Sequence, residues 1–230
     1  MRIYLNFAEA YSEIKRDLAE MGIDVHPDTY QDKFIRDDPN YATKELQNYM
    51  YCILNPNSSA IDAVQPYSDL EWYDRVDGIE NHNTNNPGKA WMTRSDVWSQ
   101  FLMPDGQFAY TYAERFAAHD AVRKVINRIR EDPDSRQLYI SIWDMSDISK
   151  MGGVSRIPCS LGYLIQVREG ALNLTYLQRS ADFATHFVND VFFAVKLQEY
   201  IAEKTQVPIG RFSHWLGSFH VFRKDIKGVF

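Results

Sequence analysis

Residues 156–182 read RIPCSLGYLIQVREGALNLTYLQRSAD, and this stretch decides the fold. Apolar and polar residues alternate over 160–168 and again over 171–177. Alternation with period two marks a half-buried strand. Glu169-Gly170 supplies a turn between the two runs, so the stretch reads as a β-hairpin. Cys159 stands just before it, after a loop with two glycines (Met151-Gly152-Gly153). At its far end lies the polar cluster Gln178-Arg179-Ser180-Ala181-Asp182.

Downstream, residues 190–204 predict a long, largely buried helix, and GRFSHWLGSFHVF (210–222) returns to strand-like sequence. Upstream, LYISIW (138–143) predicts a strand. Residues 118–130 predict a helix, with Val122, Val125, Ile126 and Ile129 on one stripe, stopped by EDPDS. Residues 7–21 are amphipathic at helical spacing through Phe7, Ala10, Ile14 and Leu18. The spacing of Leu46, Tyr49, Met50 and Ile53 predicts a further helix over 42–54. Residues 55–96, rich in Asn, Pro, Ser, Asp and Gly, read as surface loops with short helical pieces. A loop that long is often functional. The expected class is α+β: one domain over 1–230, a large mixed sheet with helices packed on it.

The 230 residues are 45% apolar and 14% aromatic, enough for a substantial core. A net charge of −6 without a basic run argues against a nucleic-acid partner, but leaves room for a small anion held by a few arginines. MRIYLNFAEAYSEIKRDL lacks the apolar core and cleavage site of a signal peptide. No run approaches the roughly 20 apolar residues of a membrane span. The expectation is a cytoplasmic protein with no membrane partner. Two cysteines, Cys52 and Cys159, leave no disulfide framework and no CxxC metal site, so no metal is expected.

Taken singly, the polar candidates have ordinary explanations. A free cysteine is more often a packed core residue than a nucleophile. Cys159 needs a nearby cation to ionise, for which Arg156 and Arg179 are the candidates. Arg179-Ser180 offers a fork of N–H donors and a hydroxyl, suited to a phosphate. Asn189-Asp190 fits a helix N-cap, Glu45 the first turn of a helix, and His220 an ordinary strand position.

The order of the pieces changes this. The chain shows Glu45-Leu46, then Val97-Trp98 with Tyr112 fourteen residues after the Trp. It continues with Asp132-Pro133-Asp134-Ser135-Arg136, Pro158-Cys159 and Gln178-Arg179-Ser180-Ala181-Asp182. Asn189-Asp190 and Gly217-Ser218-Phe219-His220 complete it. The ordered set resembles the thymidylate synthase superfamily, strongly over 97–222 and recognisably over 42–54. The resemblance implies a covalent mechanism, with the Cys159 thiolate adding to C6 of a pyrimidine nucleoside monophosphate. C5 then takes a one-carbon unit from 5,10-methylenetetrahydrofolate, with Glu45 organising proton transfers. It further implies that Arg179 and Ser180 hold the phosphate, that Gln178 and Asn189 belong to the nucleotide site, and that Tyr112 lies near C5. Asp182 and Trp98 resemble folate contacts, and His220 the grip on a sugar hydroxyl. Arg136 resembles the arginine that reaches the partner subunit's phosphate, which implies a sheet-mediated homodimer.

In thymidylate synthases the base-reading Asn lies eleven residues after the Arg of Arg-Ser, and the resemblance implies that Asp190 takes that place here. Uracil offers N3–H and O4, which match an amide. Cytosine offers N3 and N4–H₂, which match a carboxyl that accepts from N4 and, when protonated, donates to N3. A mismatched buried edge costs about 1–3 kcal/mol per unpaired group. Phe187-Val188-Asn189-Asp190 looks like the Asn-Asp pair of phage-type deoxycytidylate hydroxymethylases. The expected reaction is therefore hydroxymethylation of dCMP or CMP. A one-residue shift would make Asn189 the reader and dUMP the substrate, and a catalytically silent nucleotide-binding homologue is a third reading. Phe101 replaces the family's second Trp, and the chain ends at Phe230, eight residues after Phe222. Both features favour water over hydride in the last step. Gln137 and Phe222 replace a family Arg and Tyr, and Lys33 or Arg36 is expected to replace the N-terminal phosphate-binding Arg.

Overall fold

The hairpin lies at the centre of the hydrogen-bonded sheet rather than at its edge. The computed structural model of the chain describes residues 1–31, 33–151 and 155–230. Gly152 and Gly153, expected to form a loop ahead of Cys159, lie outside the described residues. The strands are β1 (Arg2–Tyr4), β2 (Ile23–Val25), β3 (Thr29–Tyr30), β4 (Lys33–Phe34), β5 (Thr43–Ile53), β6 (Tyr139–Ser141), β7 (Ser160–Arg168), β8 (Ala171–Asp182) and β9 (Ile209–Phe222). The helices are α1 (Phe7–Met21), α2 (Tyr67–Asn81), α3 (Ser95–Trp98), α4 (Tyr112–Ala117), α5 (Ala121–Glu131), α6 (Met145–Ile148), α7 (Phe187–Thr205) and α8 (Ile226–Val229).

The main sheet runs β1-β5-β9-β8-β7-β6, with β2 also paired to β5, while β3 and β4 form a separate pair. β7 and β8 are antiparallel, β8 and β9 parallel, and β9 and β5 antiparallel. Parallel neighbours need a crossover, and α7 provides it. This helix is apolar on most sides. Phe187, Val191, Val195, Leu197 and Ile201 are all fully buried. Its Gln198 side chain donates to the carbonyls of Leu172, Gly210 and Arg211, stapling the irregular start of the β8–β9 ladder. The expected class, α+β with a mixed sheet, holds.

Two local expectations are corrected. Residues 42–54 are not a helix but the long strand β5, paired with β9 from Thr43↔Phe222 to Ile53↔Phe212. Asn48 has φ +51°, and the buried face changes phase there, from Leu46 before it to Tyr51 and Ile53 after it. That phase change produces apolar intervals of three and four, which mimic a helix. Residues 55–96 contain a full helix, α2, whose polar sequence disguises it because it buries Arg75 and Ser68 beside Tyr67 and Ile79. The polar cluster Gln178–Asp182 continues β8, held by pairing to β9 as far as Asp182↔His220.

Helix α2 is pressed against α4. A Cβ at Gly78 would stand 2.5 Å from the Ala113 carbonyl oxygen and 3.1 Å from its backbone carbons. Gly78→Ala must push the two helices apart, an overpacking that costs about 1–3 kcal/mol. Chemical denaturation should show a loss of that size.

Candidate active site

Register across three strands lays down the floor of the site. Asp182 pairs with His220, which pairs with Glu45, so the three form one row across β8, β9 and β5. Six residues earlier on β9, a second row runs Tyr176, His214 and Tyr51. The buried phase of the strands changes between the two rows, at Asn48 in β5 and between Leu216 and Phe219 in β9, so Glu45 and His220 turn away from the core face that carries Tyr51 and His214. Of the twelve site residues expected from sequence, eleven line one cavity of ≈ 370 Å³. The exception is Arg136, which is exposed on the surface of the chain.

Cys159 sits at the mouth of β7, half-buried, with Gln31 Nε2 3.9 Å from its Sγ. Burial pushes the thiol above its ordinary range. The Arg179 guanidinium pulls it down, as does Arg156, while Asp190 pushes it up. The arginines therefore act on the thiol in the expected sense, but burial outweighs them. Arg179 is aimed by its own neighbours. Its Nε donates to the Pro158 carbonyl (3.0 Å) and its Nη2 to that of Ile157 (3.2 Å). Two of five donors are used, leaving three for a ligand. Neither Lys33 nor Arg36 lines the cavity. Lys33 donates to Gln100, and Arg36 pairs with Asp28 on the surface.

Asn189 and Asp190 are not the helix cap. His186 holds the N-cap position without a side-chain bond, and both residues lie within the first turns of α7. Their side chains have separate roles. Asn189 Oδ1 accepts from the Val64 amide (2.9 Å) and from Ser68 Oγ (3.1 Å), tying α7 to the start of α2. Asp190 Oδ2 accepts from Gln178 Nε2 (2.7 Å). Burial pushes the Asp190 carboxyl up to about 6, against the pull of Gln178 and Arg75.

Tyr112 reaches Ser160 Oγ (3.0 Å), which also meets the Tyr176 hydroxyl. Asp182 Oδ1 accepts from the amides of Ala184 and Thr185, which leaves its second oxygen uncommitted. His220 is buried in the strand, and burial lowers its pKa. Trp98 packs against His186 (5.2 Å) and Tyr67 (6.1 Å), and its Nε1 is buried without a hydrogen-bond partner.

Glu45 lies in the strand row rather than on a helix, and accepts from Ser218 Oγ. The helical glutamate on the cavity wall is Glu71 of α2. Burial raises its pKa, opposed by Arg75, whose Nε donates to it at 2.9 Å. Arg75 stacks on Tyr112 (4.2 Å) and Phe193 (4.0 Å). Arg156 lies among the rings of Trp98, Phe101, Phe108 and Tyr110, and its Nε has no hydrogen-bond partner among the described residues. Sequence reasoning missed Glu71, Arg75 and Tyr110. The visible signal was Glu71 and Arg75 at i, i+4 spacing, a helical ion-pair pattern inside a stretch read as loop.

A family model described as thymidylate synthase matches residues 78–229. The chain belongs to the thymidylate synthase family. The thymidylate synthase of Mycoplasma genitalium is 30% identical over 149 residues, covering 59% of this chain and 51% of that protein. The thymidylate synthase of Clostridium beijerinckii is 23% identical over 133 residues, covering 58% and 49%. The chain thus spans about half the length of these curated relatives. The solved structure of thermostable thymidylate synthase A from Bacillus subtilis superposes with a TM-score of 0.74 over 97% of this chain and 82% of that one, at 20% identity. This likeness establishes the thymidylate synthase fold. The family match begins at Gly78, so Glu45, Glu71 and Arg75 lie outside it.

Asp190 gives a pH-dependent prediction. Its carboxyl is held above its unfolded value of 3.8, so the native state binds the proton more tightly and stability falls as pH rises from about 4 to about 6. Asp190→Asn removes that dependence. Relative to the parent, the variant should gain about 2–3 kcal/mol between pH 4 and pH 8. Denaturation at the two pH values checks this, and parallel stability curves would contradict it.

Proposed function

We propose that the chain transfers a one-carbon unit from 5,10-methylenetetrahydrofolate to C5 of a cytidine monophosphate, dCMP or CMP, and that water completes the reaction to the 5-hydroxymethyl nucleotide. The observation that carries this reading is the division of work between Asn189 and Asp190. The Asn189 carbonyl is occupied in joining α7 to α2, whereas Asp190 has one oxygen on Gln178 and one left over. With its pKa near 6, Asp190 can accept from the cytosine amino group and, when protonated, donate to N3.

In this reading Cys159 adds to C6, which makes C5 nucleophilic. Nucleotide binding sets a phosphate against Arg179 and Ser180, with His220 at the sugar. Folate supplies carbon at the oxidation level of formaldehyde. The Trp98 wall suits a flat heterocycle, its orphaned Nε1 needs an acceptor, and the free oxygen of Asp182 can take N–H donors. Phe101, smaller than the Trp of the family pattern, leaves room for the water that ends the reaction. Arg136, exposed and away from its own cavity, fits a role in a partner's phosphate site within a homodimer. The names of the curated relatives favour a second reading, methylation of dUMP.

Tritium release from C5 separates the two readings. With methylenetetrahydrofolate, dCMP or CMP should release tritium and yield a 5-hydroxymethyl product. Release from dUMP alone would overturn the proposal. Glu71 fits the proton-organising role better than Glu45, because it stands on the helical wall of the cavity with its carboxylate bonded to Arg75. Glu71→Gln should lower kcat about 100-fold or more. Glu45→Gln, beside Ser218 and His220, should act mainly on KM. Steady-state kinetics of the two variants check the assignment.

A further inference from the structure

A chain of three hydrogen bonds runs behind the cavity and ends on Asp190. The Tyr51 hydroxyl meets His214 Nδ1 at 3.0 Å, His214 Nε2 meets Gln178 Oε1 at 3.0 Å, and Gln178 Nε2 meets Asp190 Oδ2 at 2.7 Å. Tyr51 and His214 are fully buried and neither lines the cavity. Their ring stack, with Tyr176 4.5 Å from His214, fixes the imidazole plane. We infer that Tyr51 and His214 are positioning residues that fix which way the Gln178 amide faces, and through it which oxygen of Asp190 reads the base.

Each link in the chain has a direction. If Tyr51 accepted from His214, its own buried O–H would have no acceptor among the described residues, and such an orphan costs about 1–3 kcal/mol. Tyr51 therefore donates to Nδ1, which leaves the hydrogen of the neutral imidazole on Nε2, facing the Gln178 carbonyl. The amide N–H of Gln178 is then turned to Asp190. At the far end, a flipped amide would set its carbonyl against a carboxylate oxygen, which is repulsive. Both ends favour the same direction. Asp190 Oδ2 is thereby fixed as an acceptor, and a proton on Asp190 can reside only on Oδ1. The carboxyl becomes a directed group rather than one that can present either edge.

The inference rests on the reading of Asp190 as the base contact. Its test is binding of CMP, UMP and ribose 5-phosphate, measured by calorimetry on the whole chain. His214→Phe keeps the ring and removes both hydrogen bonds, and Tyr51→Phe removes only the hydroxyl. Each variant should bring the CMP-to-UMP affinity ratio about tenfold closer to one, with His214→Phe showing the larger change. Affinity for ribose 5-phosphate, which has no base to read, should not change. His214→Gln, which restores an N–H donor toward Gln178, should recover part of the ratio. An unchanged ratio in Tyr51→Phe overturns the inference even if His214→Phe fails to fold. A fall in all three affinities together does the same, because it would mark a merely structural role. If the parent protein prefers UMP, the cytidylate reading fails, while the relay is still judged by whether that preference collapses. A parent with no preference defeats both.

Discussion

The parallel pairing of β8 with β9 across α7 is the constraint on which the rest of the molecule depends. It sets Asp182 against His220 and Tyr176 against His214, while β5 adds Glu45 and Tyr51 to the same two rows. Because α7 leaves the end of β8 after only a short turn, its first turns come down over the polar end of that strand. Asp190 is thus brought to Gln178, twelve residues before it. The largely apolar body of the helix then locks the arrangement, with Phe187 packed at 4.9 Å on Phe219 of β9. An arginine, a thiol and a buried carboxyl share one cavity because a βαβ crossover leaves them no other place.

Electrostatics inside that cavity are held in opposition. Burial raises the Cys159 thiol, the Asp190 carboxyl and the Glu71 carboxyl, and the guanidiniums of Arg179, Arg156 and Arg75 oppose it. Desolvation penalises each charged form, and a cation within a few ångströms offsets it. The balance differs from group to group. Arg75 is bonded to Glu71, Arg179 is braced by backbone carbonyls beside Cys159, and Asp190 has only an amide partner. Arg179 pulls on the thiol from beside Cys159, so an anion engaging this guanidinium would weaken that pull.

The hairpin, α7, β9 and the ordered motifs from Trp98 to His220 were legible because each carries a strong local signal: strict alternation, a long apolar run, or a cluster of unusual residues at fixed spacing. The resemblance therefore brought eleven residues correctly to one cavity. The failures share a cause. In β5, one left-handed residue, Asn48, shifts the buried phase and turns a strand pattern into a helical one. In α2, the face turned to the cavity is polar, so a helix built around Arg75 and Glu71 has no apolar stripe to reveal it. Both are places where the demands of the site override hydrophobic patterning, and both hid a glutamate: Glu45 was assigned to the wrong kind of element, and Glu71 was overlooked.

Everything proposed for this cavity depends on Cys159 acting as a nucleophile toward a pyrimidine ring. Incubating the protein with 5-fluoro-CMP or 5-fluoro-dCMP and methylenetetrahydrofolate, then recording the intact mass and mapping the modified peptide, tests this directly. Fluorine at C5 blocks loss of the proton there and traps the covalent complex. One nucleotide and one folate should be found per chain, on the peptide carrying Cys159, and none on Cys159→Ser. No adduct with any 5-fluoropyrimidine nucleotide, or an adduct on Cys52 instead, would contradict it.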